Sequence, residues 1–242
     1  MINNLINNRY LSKSSFTLCH KNSLFFYCFT TNENDEIDLS SCYEIKLTKK
    51  QQDYSTMNKS GKGKGPFGFD IGMTYEDIKN ACGGKEPEHI ADDRYYVKPK
   101  KSHPLFEKYI VWISDSFGLY YIKGLTYNIH TSNYGTEAKS KFNDLLRTLE
   151  NKYGKFTLTD TIKKDYYWKD DQYWMESIQA GARTYVATWN VPNDKIYDFD
   201  GISWIGLGIE CLNNYSTNEA VIWLEYELLN YEDAKEALND VL

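Results

Sequence analysis

Apolar and polar positions are patterned most clearly over residues 66–85, where a short extended segment runs into a helix with both of its ends marked. Thr74 is a good N-cap and Asp77 occupies the capping-box position, so the pattern predicts a helix that begins here. Gly83 and Gly84 end this helix, because glycine adopts the left-handed conformation without steric cost. The segment predicts the element around which the neighbouring strands are organised.

A second helix is predicted over Thr136–Tyr153, where apolar residues recur at helical spacing as far as Gly154. Its apolar stripe consists of Ala138, Phe142, Leu145, Leu146, Leu149 and Tyr153. A shorter helix is predicted over residues 171–180. A last one begins at Tyr231, with Asn230 as its cap.

Strict alternation of apolar and polar residues predicts three strands in the last third of the chain. The alternating apolar residues are Tyr185, Ala187, Trp189 and Val191, then Ile205, Leu207, Ile209 and Cys211, then Ile222, Leu224, Tyr226 and Leu228. Gly206 and Gly208 fall on the opposite face of the middle strand. Glycines on one strand face indicate that something packs close to the backbone there.

Further strands are predicted in the first half of the chain. They are Ser15–Cys19, Leu24–Thr30, Cys42–Leu47, Arg94–Val97, Tyr109–Ile113 and Leu119–Ile129. In the last of these, alternation predicts that one face carries Leu119, Tyr121, Leu125, Tyr127 and Ile129.

The order of these elements predicts an α+β fold, in which helices pack on one face of an antiparallel sheet. Lys49–Gly65 contains five lysines and three glycines and almost nothing apolar, which is typical of a linker. We therefore expect a β-rich N-terminal extension with its linker over residues 1–60 and an α+β domain over residues 61–242. Two helix-then-strands modules, residues 66–130 and 131–242, would account for the larger domain.

Composition narrows the classes of function. The formal net charge of -6 argues against a general nucleic-acid binder, whose surface would be dominated by positive charge. The 21 Tyr, 11 Phe and 6 Trp residues supply either strand residues for a core or the anchors of a partner surface. Five scattered cysteines without a regular framework indicate reduced thiols and a cytoplasmic protein. No apolar run approaches the length of a membrane span.

The segment Phe67–Ile78, with Phe142-x-x-Leu145-Leu146-x-x-Leu149 running into Lys152–Lys155, carries a resemblance to known families. Over residues 66–155 the chain resembles small bacterial α+β modules, namely the BamE/SmpA-like modules and the tandem modules of β-lactamase inhibitory proteins. This resemblance implies an α+β module that binds another protein and catalyses no reaction. No individual functional residue carries over from it.

The spacing of the residues matches no motif for catalysis, for metal binding or for cofactor binding. The glycines and lysines at 61–65 lack the strand and helix that flank a phosphate-binding loop. The four histidines and five cysteines show no zinc-ligand spacing, and Cys82 beside His89 fits the apolar face of a short helix better than a nucleophile. Paired carboxylates lie in turn-like contexts. We therefore assign no catalytic residue, no metal and no cofactor.

An aromatic cluster gives the first candidate site. Its members are Tyr166, Tyr167, Trp168, Tyr173 and Trp174. Five aromatic residues within nine positions cannot all face one core, so some are expected on the surface, where an aromatic patch marks a partner-binding site. The alternative is that they pack in the core.

A basic loop with neighbouring aromatic residues gives the second candidate site. It consists of Tyr95, Lys98, Lys100, Lys101 and His103, within the loop that ends at Lys108. Interleaved basic and aromatic residues can hold a nucleotide or a single strand, although a solvated loop has the same composition.

Three hypotheses of function follow. The first is a non-enzymatic cytoplasmic module of inhibitor or immunity type that binds another protein. The second is a small-ligand, nucleotide or single-strand binding module that uses the basic loop. The third is a hydrolase whose site the sequence does not reveal.

Overall fold

The structure, a computed structural model, describes eight ranges of the chain. These are residues 11–12, 15–19, 25–31, 37–46, 64–163, 166–191, 199–213 and 216–239. Only the backbone is described for the strands before residue 47 and for residues 166–167, 212–213, 216–217 and 239. The chain divides into two compact units, residues 1–56 and 57–242. Most of the predicted linker, residues 49–63, lies outside the described residues.

The N-terminal unit contains an antiparallel sheet of four strands in the order β1-β2-β3-β4. The strands are β1 (Leu11–Ser12), β2 (Ser15–Cys19), β3 (Phe25–Thr31) and β4 (Ile37–Lys46). Three of them match predicted strands, and β4 begins earlier than predicted.

The larger unit is built on an open antiparallel sheet of nine strands, eight of which follow the order β10-β11-β12-β13-β8-β7-β6-β5 while β9 pairs with β13. The strands are β5 (Glu88–Ala91), β6 (Arg94–Val97), β7 (Phe106–Ser114), β8 (Gly118–Thr126), β9 (Ile129–His130), β10 (Thr157–Ile162), β11 (Arg183–Asn190), β12 (Ile202–Asn213) and β13 (Ser216–Leu228). The predicted α+β fold is confirmed.

Four α-helices accompany this sheet in the described ranges. They are α1 (Tyr75–Ala81), α2 (Thr136–Tyr153), α3 (Trp174–Gln179) and α4 (Tyr231–Asn239). Short 3-10 turns occupy Pro66–Gly68, Tyr166–Lys169 and Asp171–Tyr173. None of the described helices is both long and apolar enough to cross a membrane.

The two best-marked helices form as predicted. Thr74 Oγ1 accepts a hydrogen bond from the Asp77 amide at 3.2 Å, and Asp77 Oδ2 accepts one from the Thr74 amide at 3.0 Å, which completes the capping box of α1. Gly83 then takes a φ of 76°. In α2 the predicted stripe is buried from Ala138 to Leu149, and Gly154 ends the helix with a φ of 83°.

The strand order contains two successive halves of the same kind. In the first half α1 is followed by the meander β5 to β8, and in the second half α2 is followed by the meander β10 to β13. The last strand of each half lies at the centre of the sheet. There β8 and β13 pair antiparallel, so the two halves share one continuous sheet.

One face of this sheet, which we call the covered face, carries the core. Phe67 in the first 3-10 turn contacts Tyr226 with 6.1 Å between ring centroids. Phe142 of α2 and Trp174 of α3 both contact Tyr185, at 5.0 and 5.3 Å. Fully buried aliphatic residues fill the space beneath the helices, including Val111, Ile122, Ile205, Leu207 and Ile222.

Two features of the large sheet differ from the sequence expectations. Strands β5 and β10 were not predicted, because they lie at the two edges of the sheet and most of their residues are exposed, so no apolar alternation marks them. In β8, Tyr121 and Leu125 share one face as predicted, but Leu119 does not lie on it, and the core is on the other face. The buried residues are Tyr120, Ile122, Gly124 and Thr126, and a bulge opposite Ile113 brings Leu119 into the core as well.

Asn230 precedes α4 as predicted, but its side chain does not cap the helix. The Nδ2 group donates hydrogen bonds to the carbonyls of Phe117 and Leu119, at 2.9 and 3.0 Å. The buried Oδ1 atom has no hydrogen-bond partner in the described structure. Asn230 therefore ties the start of α4 to β8.

Candidate protein-binding face

The opposite side of the sheet, which we call the open face, presents three cross-strand rows of side chains. The first row is Asn190, Trp204, Glu227, Tyr121, Trp112 and Arg94; the second is Thr188, Gly206, Glu225, Lys123, Ile110 and Tyr96; the third is Val186, Gly208, Trp223, Leu125 and Lys108. The ring contacts that α1, α2 and α3 make with strand residues, as far as the chain is described, fall on the covered face.

Aromatic rings dominate the centre of the open face. Trp112, Tyr121, Trp204 and Trp223 are all half-buried there, so each ring offers part of its surface to the outside. Trp112 contacts Tyr121 edge to face, with 4.6 Å between centroids. Tyr231 of α4 continues this group, 5.6 Å from Tyr121.

Two of these indole rings lie directly over glycines. A Cβ atom added to Gly208 would clash with the Trp223 ring and lie 2.8 Å from its Nε1. A Cβ atom on Gly206 would clash with the Trp204 ring and lie 2.9 Å from Cζ3 of Trp223. The glycines were expected to mark close packing, and the structure confirms that this face of β12 is covered by tryptophan rings.

Charged groups are fixed between the rings. Lys123 Nζ lies 2.7 Å from Glu225 Oε1 and 5.7 Å from the centroid of Trp223, so it makes both an ion pair and a cation–π contact. The Tyr121 hydroxyl is hydrogen-bonded to Glu225. Burial and the nearby Glu225 raise the pKa of Tyr121, which keeps this hydroxyl protonated as a donor.

A cleft adjoins the third row. Strands β11 and β12 pair between Asn190/Trp204 and Val186/Gly208, although both strands continue beyond the last pair. Where the pairing stops, a cavity of about 320 Å³ lies between the strands and α3. Its walls include Ile178, Tyr185, Ile209, Cys211 and Trp223, with Arg183 and Glu210 as charged members.

The aromatic cluster predicted from sequence is only partly described. Tyr166 and Tyr167 lie in a 3-10 turn, and their side chains fall outside the described ones; Trp168 and Tyr173 are half-buried. Trp174 is 1% exposed, so its assignment as an exposed anchor is wrong. Its ring packs against Gly135 and Tyr185 beneath Lys139, whose Nζ lies 4.1 Å from the ring centroid.

The basic loop is exposed and tied down at both ends. Lys98, Lys100, Lys101 and His103 are exposed, whereas Tyr95 is half-buried and packs edge to face on Tyr75. The Lys100 amide donates to the Ala81 carbonyl at 3.1 Å, and the Tyr109 hydroxyl accepts from the His103 amide at 2.8 Å. Ligand binding by this loop stays a prediction.

The described cysteines are not activated for nucleophilic chemistry. Cys82 is buried, and burial raises its pKa. Burial likewise raises the pKa of Cys211 to about 11. Both thiols are therefore protonated at neutral pH. Within the described ranges no three His, Cys, Asp or Glu side chains are grouped so that they could hold a metal ion.

The open face was missed because its pattern is spread over four strands. Trp204-x-Gly206-x-Gly208 and Trp223-x-Glu225-x-Glu227 do alternate, opposite the apolar positions that build the core. That pattern could have placed two tryptophans on the non-core face.

Comparison with protein-family models, with curated proteins and with solved structures finds no match to this chain.

Proposed function

We propose that this chain is a non-enzymatic protein-binding module, of inhibitor or immunity type, that presents its open face to another protein. The observation that carries the proposal is the group of four half-buried aromatic residues, Trp112, Tyr121, Trp204 and Trp223, on the open face. Tryptophan and tyrosine are enriched among the residues that dominate binding energy, because they bury a large area at little cost in side-chain entropy.

The dimensions of the open face agree with this role. The three rows run across six strands of the sheet, in the order β11-β12-β13-β8-β7-β6. Because neighbouring strands lie about 4.8 Å apart, these six strands give a width of roughly 29 Å. Seven residues of β12, from Trp204 to Glu210, span a length of roughly 20 Å. The product, on the order of 600 Å², approaches the area of about 800 Å² that one partner buries in a standard interface.

Rigidity supports the same proposal. Strands hold side chains more precisely than loops do, and the Trp204 and Trp223 rings pack directly against glycines of β12. Less side-chain entropy is then lost on binding. The cleft beside Trp223 adds a recess in which an anchor side chain of a partner could be buried.

The surrounding chemistry fits a protein partner better than a nucleic acid. Glu210, Glu225 and Glu227 lie on the open face, and Lys123 is already paired with Glu225. Cys82 and Cys211 are free thiols, which supports the expectation of a reducing cytoplasmic setting. The resemblance of residues 66–155 to protein-binding modules points to the same class of function.

A pull-down from the native host, with mass spectrometry and three variants, tests this proposal. Trp112→Ala and Trp223→Ala should each lose the partner that the unchanged chain retains. Tyr134→Ala is the matched control, because Tyr134 is 53% exposed and lies just before α2. Circular dichroism must show that all three variants are folded. A partner retained by both tryptophan variants would contradict the proposal.

A further inference from the structure

The first row of the open face places one carboxylate among aromatic residues. Glu227 is paired in register with Trp204 on one side and with Tyr121 on the other, and Tyr121 is paired with Trp112. Side chains in such pairs have Cβ atoms about 4.5–5.5 Å apart. The Glu227 side chain is therefore flanked by an indole and a phenol.

Glu227 lacks a counter-charge in the described structure. Its side chain is half-buried and makes no ion pair or hydrogen bond with any described residue. Burial raises the pKa of Glu227, and the nearby carboxylates of Glu232 and Glu225 raise it further. A half-buried carboxylate with like charges beside it is stabilised when a cation approaches.

Three described cations near the first row have other partners. Lys123 Nζ is 2.7 Å from Glu225, and the Arg94 guanidinium is 3.1 Å from Asp92. Lys235 of α4 lies over the Tyr231 ring, 6.0 Å from its centroid. The Glu227 carboxylate therefore lies between aromatic side chains of the first row without an ion-pair partner among the described residues.

From this we infer that the protein partner docks on the first row with an arginine or lysine side chain, which stacks on Trp204 and Tyr121 and pairs with Glu227. The inference rests on the proposed function and names the chemistry of the partner. Aromatic faces attract cations through the ring quadrupole, and a carboxylate adds a charge-assisted hydrogen bond. Arginine suits such a site especially well, because its planar guanidinium can stack and bind a carboxylate bidentately.

A displayed peptide library provides the test without knowledge of the natural partner. Random cyclic peptides are first selected for binding to the full chain. The selected peptides are then tested against Trp112→Ala, and those that no longer bind are the ones that use the open face. We expect arginine and lysine to be enriched in that set. The affinity of a selected peptide should fall by about tenfold or more with Glu227→Gln, and by a similar factor when its cationic residue is replaced by glutamine.

Glu150→Gln is the matched control, since Glu150 is an exposed glutamate of α2, the helix that packs on the covered face. It should leave the affinity of the peptide unchanged, and Glu227→Gln should keep the near-ultraviolet circular dichroism of the unchanged chain. Affinity for the unchanged chain should also weaken as salt rises, because salt screens the ion pair.

The remaining outcomes separate the two proposals. Peptides that depend on Trp112 but show no basic enrichment and bind Glu227→Gln equally well would overturn this inference and leave the proposed function standing. A library that yields no peptide dependent on the open face would contradict both. If the full chain forms a dimer that Glu227→Gln dissociates, the occupant is a second copy of this chain, and the assignment to a different protein is wrong.

Discussion

The two faces of the large sheet use the same strands for different purposes. On the covered face, aliphatic residues such as Ile122 and Leu207 are fully buried beneath helices. On the open face, tryptophan rings lie over Gly206 and Gly208 and stay half-buried. A residue that is already buried can contribute only to stability, whereas a half-buried ring still has surface to bury against a partner. Substitutions on the two faces should therefore separate stability from binding.

The largest expected effect on stability comes from comparing two tryptophan substitutions, one in the core beneath the covered face and one on the open face. Trp174→Ala should lower the free energy of unfolding by about 3–5 kcal/mol, because it removes a fully buried ring. Trp112→Ala should cost only about 1–2 kcal/mol, since that ring is only partly buried. Urea unfolding measures both values. Equal losses would show that the open face is part of the core.

Glycine substitutions on the two faces sharpen the comparison at a smaller scale. A Cβ atom on Gly124, on the covered face, would lie 2.9 Å from Cδ1 of the buried Phe106, so Gly124→Ala should cost about 1–3 kcal/mol. A Cβ atom on Gly208 would displace the Trp223 ring, which can turn outward, so Gly208→Ala should cost about 1 kcal/mol or less.

The same glycine variants also differ in spectrum and binding. Gly208→Ala should shift tryptophan emission to the red, because Trp223 becomes more exposed, and should weaken binding at the open face. Gly124→Ala should do neither in its folded state. A red shift from Gly124→Ala alone would reverse the roles assigned to the two faces.

The capping box tests a part of the scaffold that touches neither set of rings. Thr74→Ala should lower the free energy of unfolding by about 1 kcal/mol, because it leaves the Asp77 amide without its acceptor. Binding at the open face should be unchanged. Thr148→Ala on α2 is the control, since this exposed hydroxyl only donates back to the Asp144 carbonyl; its effect should stay within about 0.5 kcal/mol.

Local signals explain which elements could be predicted. The signals for α1 and α2 each lie within one short segment of the sequence. They are the capping pair Thr74 and Asp77 for α1 and the apolar stripe for α2, and the bounds of both helices follow from them. The alternation at Ile205–Cys211 and Ile222–Leu228 likewise locates two central strands. Edge strand β10, with the sequence TLTDTI, is exposed at most positions and carries no such alternation.

The open face required information that no single segment carries. Trp112 and Tyr121 are neighbours through the pairing of β7 with β8, but Glu227 joins them only because β8 pairs with β13, about a hundred residues later in the chain. The bulge in β8 also changes which of its residues face the core. Residues 166–174, by contrast, have a high local density of aromatic residues, which predicted a surface where Trp174 is in fact core.

The smallest expected effect concerns Glu227 and the pH dependence of stability. Its pKa is raised in the folded protein, so the folded state retains a proton at pH values where the unfolded chain has lost it. Stability from this group is therefore greatest below the unfolded pKa and declines as pH rises to the folded pKa. Glu227→Gln cannot ionise. The variant should be more stable than the unchanged chain at pH 7, by about 0.5 kcal/mol, and the difference should shrink towards pH ~4.

Urea unfolding at several pH values measures this difference, with Glu210→Gln as an exposed control that should show none. A variant that is less stable at pH 7 would mean that Glu227 already has a stabilising cation in the free protein. The charged groups of the open face would then be paired within the free protein, just as the apolar groups of the covered face are packed within it. A more stable variant that binds basic peptides more weakly would instead show a carboxylate kept at a cost to the fold and used in binding.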